Sequence, residues 1–218
     1  AAQGHHGTAH EQRQLRRHTA HRAAIVAPAG AARLHGGKIA AAFGEVIDSK
    51  SPYTSGHSAR VALYADCIAA ELGLEPHRRR WLKRASLLHD MGKLGVSNAI
   101  LDKPGKLDED EWAAVRQHAV YTETILSRIG AFTEMAIVSG AHHERLDGKG
   151  YPRGISGEAI SLETRIITTA DIFDAITAER PYRGAMPVAK TLEIMGSEVG
   201  QAIDLRCFEA LQRIVDEL

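Results

Sequence analysis

The chain carries no excess charge of either sign: 27 Lys and Arg balance 27 Asp and Glu over 218 residues. A general nucleic-acid-binding surface needs a basic excess, so that class is excluded, and any phosphate recognition must come from a few local Lys and Arg side chains. Only two cysteines are present, Cys67 and Cys207, far apart in amphipathic segments. They lack metal-type spacing and read as buried thiols in a reducing compartment. No apolar stretch approaches the ~20 residues that cross a bilayer. Ala23 to Ala32 is too short and too weakly apolar for a secretory signal core. A cytoplasmic protein with no membrane contact in this chain is the expectation. An initiator Met is also lacking, so the chain is read either as processed or as part of a longer protein. Internal repeats are absent, and strand-like alternation is scarce.

What is present is helical spacing from Lys38 onward. Ile39, Phe43, Val46 and Ile47 make one stripe; Val61, Tyr64, Ala65, Ile68 and Leu72 make a second, ended by Gly73. Pro76 opens a third helix that runs to His89-Asp90 and is stopped by Gly92 and Gly95. Pro104-Gly105 is a turn. Asp108 caps a helix that carries His118 towards Gly130, with Glu109, Asp110 and Glu111 in its first turn. Another helix starts near Phe132 and delivers His142-His143 at its end. Residues 148–157 form a Gly- and Pro-rich loop. A helix over 163–178 bears Asp171 and Asp174, and two more follow near 187–199 and 205–217. The length suits one domain with a substantial core. We expect an all-α bundle over residues 38–218, preceded by an arm over 1–37. Half of the twelve His lie in that arm (His5, His6, His10, His18, His21 and His35) without ligand spacing, and it reads as a linker or signalling helix from an upstream region.

The most informative stretch is Leu87-Leu88-His89-Asp90-Met91-Gly92-Lys93. A His and an Asp together at the end of an apolar run make a metal corner. The Asp offers two oxygens and can bridge two ions, and Lys93 lies one turn on, where it could hold a phosphate oxygen. Alone, the segment reads equally as a capped helix end with a buried His. The rest of the chain adds His57, His118, the adjacent His142 and His143, and Asp171, all beside apolar helical segments where a free charge is costly. Five His and two Asp are too many for one tetrahedral zinc. They suit two metals that share a carboxylate and leave positions open for water.

With His89-Asp90, Gly92-Lys93 and the run His142-His143-Glu144-Arg145-Leu146-Asp147-Gly148-Lys149-Gly150-Tyr151-Pro152, the sequence resembles the HD-GYP branch of the HD-domain metal-dependent phosphohydrolases. Lys103-Pro104-Gly105-Lys106-Leu107, Asp171-Ile172-Phe173-Asp174-Ala175 and Arg180-Pro181-Tyr182-Arg183 support the match, which covers roughly residues 45 to 215. The resemblance implies an HD-domain helical bundle with a C-terminal helical extension. It implies that His57, His89, Asp90 and Asp171 hold one divalent metal and that Asp90 bridges to a second held by His118, His142 and His143. It places Lys93 beside the scissile phosphate and Arg180 and Arg183 against the second phosphate or a guanine, where an Arg fork suits bidentate recognition. Tyr151 stacks near a base or packs structurally; Glu144, Asp147 and Asp174 brace rather than bind metal. Some members take a third metal through a Glu four residues before the first His. That position is Tyr53 here, so two metals are expected.

The implied substrate is the bacterial second messenger cyclic di-GMP, hydrolysed through a hydroxide shared by the metals, with either linear pGpG or GMP as the end product. Lys93 or a metal-bound water would assist the leaving oxygen. Iron or manganese fits a ligand set rich in His and carboxylate and without Cys. Two alternatives stand beside this: a phosphohydrolase for another cyclic dinucleotide such as cyclic GMP-AMP, and a nucleotide-binding sensor with little turnover. The Gly150-Tyr151-Pro152 loop is linked in the family to diguanylate cyclase-type partners. A homodimer through the N-terminal helical region is a further expectation.

Overall fold

The computed structural model describes residues 29–178 and 184–215. Two compact units divide the chain, Ala1–Ile39 and Ala40–Leu218, and the second carries all the candidate ligands. Among the described residues every extended element is a helix, and the only β contact is a single bridge between Val199 and Ile203. The helices are α1 (Ala29–Asp48), α2 (His57–Glu71), α3 (Pro76–Leu88), α4 (Asn98–Leu101), α5 (Glu109–Ser127), α6 (Thr133–Gly140), α7 (Leu162–Thr177), α8 (Val188–Ser197) and α9 (Leu205–Val215).

Helix α2 lies at the centre, packed on α3, α7 and α9, while α5 packs on α6 and on the 3-10 turn Met91–Gly95. The apolar spacing of the sequence becomes the core. Val61, Ala65 and Ile68 of α2 are fully buried with Leu82 of α3, Leu126 of α5, Ile166 and Ile167 of α7, Met195 of α8 and Leu211 of α9. Tyr64 meets Phe173 edge-on at 5.0 Å between ring centres.

Local chemistry starts and stops these helices. Gly56 takes a left-handed φ of 70° just before α2, a conformation that favours glycine. The Asp48 carboxylate then accepts from Ser58 N and from Ser58 Oγ, at 3.1 and 2.6 Å, which ties the end of α1 to the start of α2. Asp108 and Glu111 form a capping box at α5. Asp204 accepts from the backbone of Arg206 and Cys207 at the start of α9 and pairs with Arg165 at 2.8 Å. Burial opposes ionisation of Asp204, but Arg165 and those backbone donors hold its carboxyl below the ordinary range. A depressed carboxyl stabilises the fold above the unfolded pKa and loses that contribution as pH falls through the folded value. Asp204→Ala is therefore expected to cost about 1–2 kcal/mol near neutral pH, read as a lower urea midpoint, and to cost less in acid.

Several expectations shift at their edges. The helix before His142 stops at Gly140, so His142 and His143 sit in a following turn closed by Glu144 N–H to Ala141 O at 2.8 Å. Helix α5 ends at Ser127, and the short helix α4 is additional. Cys207 is buried, which pushes its thiol up to about 12, but Cys67 is only partly buried. No helix among the described residues is long and apolar enough to cross a membrane.

Candidate metal centre

Five elements each bring one part of the centre. His57 is the first residue of α2; His89 and Asp90 follow α3; His118 is in mid α5; His142 and His143 follow α6; Asp171 is in mid α7. The ligand atoms form one tight group. His57 Nε2 lies 3.5 Å from Asp90 Oδ2 and 3.3 Å from Asp171 Oδ1. His89 Nε2 lies 3.4 Å from Asp90 Oδ2 and 3.8 Å from Asp171 Oδ1. On the other side, His118 and His142 Nε2 lie 3.5 and 3.8 Å from Asp90 Oδ1. One oxygen of Asp90 thus faces His57 and His89, and the other faces His118 and His142. Among the described residues three overlapping groups could hold a metal: His57/His89/Asp171 on one side, His118/His142/His143 on the other, and His89/Asp90/His142 between them.

The residues fit a cation on physical grounds. His89 Nε2 and Asp90 Oδ1 are buried and have no hydrogen-bond partner, a costly arrangement unless something else satisfies them. His89, His118 and His142 each give Nδ1 to the carbonyl three residues back, Ser86, Val115 and Ser139, at 2.7, 2.6 and 2.6 Å. That hydrogen bond puts the proton on Nδ1 and leaves a lone pair on Nε2. The Nε2 atoms of His118 and His142 are 3.3 Å apart, so two lone pairs face each other across a gap that a cation would relieve. Burial pushes the pKa of both rings down, and that of His143 to about 3, which keeps all three imidazoles neutral and available as ligands.

The His57 side differs. Burial opposes its charge, but hydrogen bonds with Asp171, Asp174 and Asp90 outweigh this and raise its pKa well above the ordinary value. Both acids are held ionised against their burial: Asp90 by Lys93 and the surrounding imidazoles, Asp171 by His57. Lys93 Nζ lies 2.6 Å from Asp90 Oδ2.

Asp174 stands one turn beyond Asp171 and faces the Nδ1 side of the His57 ring. Its Oδ2 accepts from His57 Nδ1 at 2.7 Å, while Arg60 Nε binds its Oδ1 at 2.6 Å. The expected helix brace is thus a positioning carboxylate that aims His57 Nε2 inward. Asp174→Asn should weaken metal binding at the His57 side by about 10–100-fold, measured by metal titration, with the His118 side spared.

The loop after His143 is held by its own acids. Glu144 is buried and accepts from the backbone N–H of Arg153 and Ile155, at 2.7 and 3.1 Å. Asp147 is paired with Arg145. A Cβ on Gly150 would overlap the backbone of Glu144 and Arg145, so the loop can pass there only as glycine. Tyr151 is stacked on His143, with ring centres 4.7 Å apart. Arg180 and Arg183 lie outside the described residues.

A family model for the HD domain matches residues 42–206. The chain belongs to the HD domain family. Among its relatives is the 3'3'-cGAMP-specific phosphodiesterase 3 of Vibrio cholerae serotype O1, 62% identical over 180 residues, covering 83% of this chain and 39% of that protein. The cyclic di-GMP phosphodiesterase response regulator RpfG of Xanthomonas campestris pv. campestris is 38% identical over 169 residues, covering 77% of this chain and 45% of that one. This HD-domain chain therefore spans about two-fifths of the length of these relatives. A solved structure described as a cyclic GMP-AMP specific phosphodiesterase of V. cholerae matches with 57% identity and TM-score 0.54, over 83% of this chain and 41% of that one. A Bdellovibrio bacteriovorus HD-GYP protein matches in fold, with TM-score 0.63 and 20% identity over 77% of this chain and 53% of that one. With these relatives the HD-GYP resemblance and the all-α HD fold both stand.

Proposed function

We propose that this protein is a metal-dependent phosphodiesterase for a cyclic dinucleotide, and that its substrate is cyclic GMP-AMP rather than cyclic di-GMP. The reaction class rests on one observation: the two oxygens of Asp90 face two separate His-rich clusters. The 62% identity to a cGAMP-specific enzyme supports the substrate. It moves the reading away from cyclic di-GMP, whose named relative here stands at 38%.

His57, His89, Asp171 and Asp90 Oδ2 would hold one divalent cation, and His118, His142, His143 and Asp90 Oδ1 the other. Their all-His-and-carboxylate chemistry suits iron or manganese. When bound, such a pair supplies an activated water and neutralises charge on the phosphoryl oxygens. The chain's own residues do the rest. The carbonyls of Ser86, Val115 and Ser139 keep the Nε2 lone pairs aimed inward. Lys93 Nζ, beside the shared carboxylate, binds a phosphoryl oxygen and carries a proton that the departing ribose oxygen can take. Hydrolysis of one diester consumes one water and yields a linear dinucleotide.

The test offers cyclic GMP-AMP and cyclic di-GMP separately to Mn- or Fe-loaded protein under anaerobic conditions, with products resolved by chromatography. Cyclic GMP-AMP is expected to be cleaved at least about tenfold faster, equivalent to ~1.4 kcal/mol of transition-state discrimination. Faster cleavage of cyclic di-GMP would return the assignment to that nucleotide; two intact nucleotides would overturn the reading.

A further inference from the structure

Three successive carbonyls hold the turn that presents His142 and His143. Ala141 O accepts from Glu144 N at 2.8 Å, His143 O accepts from Tyr151 N at 3.2 Å, and His142 O accepts from Thr168 Oγ1 at 2.7 Å. The first two donors belong to the turn itself and to the loop that follows it. The third comes from α7, the helix that carries Asp171 of the opposite cluster. Thr168 and Asp171 are three residues apart and share a face of that helix.

Threonine is a weak helix former, and inside a helix its hydroxyl commonly turns back to the carbonyl four residues earlier. Thr169 and Thr177 of α7 do this, donating to Arg165 O and Phe173 O at 2.8 and 2.7 Å. Thr164 and Thr168 do not. They donate across to the end of α6 and its following turn, at Val138 O and His142 O, 3.2 and 2.7 Å away. Both side chains are buried. The two donors are spaced by four residues, and so are the two acceptors, so one face of α7 seats successive turns of the segment that ends in the His pair. A buried carbonyl that loses its donor is costly, so the bond at His142 fixes where the turn can lie.

We infer that Thr168 is a positioning residue for the metal centre: its hydroxyl locks the His142-His143 turn against the helix that bears Asp171, and so sets the separation of the two metal positions. The inference rests on the two-metal reading above. Thr168 acts through the backbone of His142 and takes no part in bond cleavage.

The experiment titrates Mn(II) into the metal-free protein and records the electron paramagnetic resonance spectrum of the loaded pair. Three variants are compared. Thr168→Val keeps the shape and removes the hydroxyl, Thr168→Ser keeps the hydroxyl, and Thr169→Val removes the neighbouring hydroxyl that bonds within its own helix. In Thr168→Val one of the two Mn(II) affinities should fall about tenfold, the lower end of the range for groups that hold metal ligands in place, while the other is unchanged. The exchange-coupled signal of the pair should shift towards that of isolated ions. Thr168→Ser should restore both readouts, and Thr169→Val should leave both as they are. Equal losses in Thr168→Val and Thr169→Val, or an unchanged affinity and spectrum in Thr168→Val, overturn the assignment. Circular dichroism checks folding. If Thr168→Val fails that check, Thr168→Ala, which removes the same donor without placing a methyl group against the carbonyl, is held to the same expectations. Failure of the underlying reading looks different: an unsubstituted protein that takes up fewer than two ions overturns both, whereas two ions with no effect of the substitution overturn only the role of Thr168.

Discussion

Replacing Asp90 with Ala should abolish hydrolysis and reduce bound metal from about two ions per chain to less than one. The reason is geometric. Asp90 faces both clusters through its two oxygens, with Oδ2 at 3.5 and 3.4 Å from His57 and His89 and Oδ1 at 3.5 and 3.8 Å from His118 and His142. Its removal takes a ligand from each ion and the only negative charge shared between them. Changes to groups behind metal ligands cost about 10–100-fold, and loss of a shared ligand should exceed that on activity. Asp90 is buried, so a folding check is needed: circular dichroism should show helical content retained, and elemental analysis of the folded fraction then gives the stoichiometry. Two ions retained in folded Asp90→Ala would remove the bridging role.

Gly92→Ala should be as damaging by a different route. A Cβ at Gly92 would fall on the carbonyl oxygen of His118 and close against the backbone of Thr122. Thr122 Oγ1 also ties this turn to α5, accepting from Gly92 N at 2.9 Å and donating to His89 O at 2.9 Å. The contact is backbone on backbone, so no side chain can swing aside and the turn must move off α5. Overpacking of a tight interior costs about 1–3 kcal/mol, and here relief separates His89 and Asp90 from His118. Gly92→Ala should therefore lower the thermal midpoint by several degrees and also weaken metal binding at the His118 side. A stable variant with full metal occupancy would show that the close approach is not what sets the geometry. Gly92 thus connects sequence to function through packing, as the HD pair does through chemistry.

The seven candidate ligands were legible because His and Asp beside apolar helical runs are chemically expensive without a partner. Helix boundaries were legible where a cap or a Gly marks them, as at Asp108 and Gly73. What supports the ligands was harder to see. Ser86, Val115 and Ser139 act through backbone carbonyls, and a carbonyl is present at every residue. A repeated three-residue offset before each His is the only trace. Asp174 carried a clearer signal: one turn after Asp171 on the same helix, it shares that residue's face and reaches the same His57. The His142-His143 pair was placed on a helix by its apolar approach, but the helix ends at Gly140 and the turn is what allows both adjacent rings to face one centre.

The central claim is that Asp90 joins two metal positions. Crystals of Mn-loaded protein, with anomalous data collected at the metal edge, test it most directly. Two peaks are predicted about 3.5–4 Å apart, one among His57, His89 and Asp171 and the other among His118, His142 and His143, each within bonding distance of a different Asp90 oxygen. A single peak in either cluster, or two peaks with Asp90 bound to only one, would contradict it.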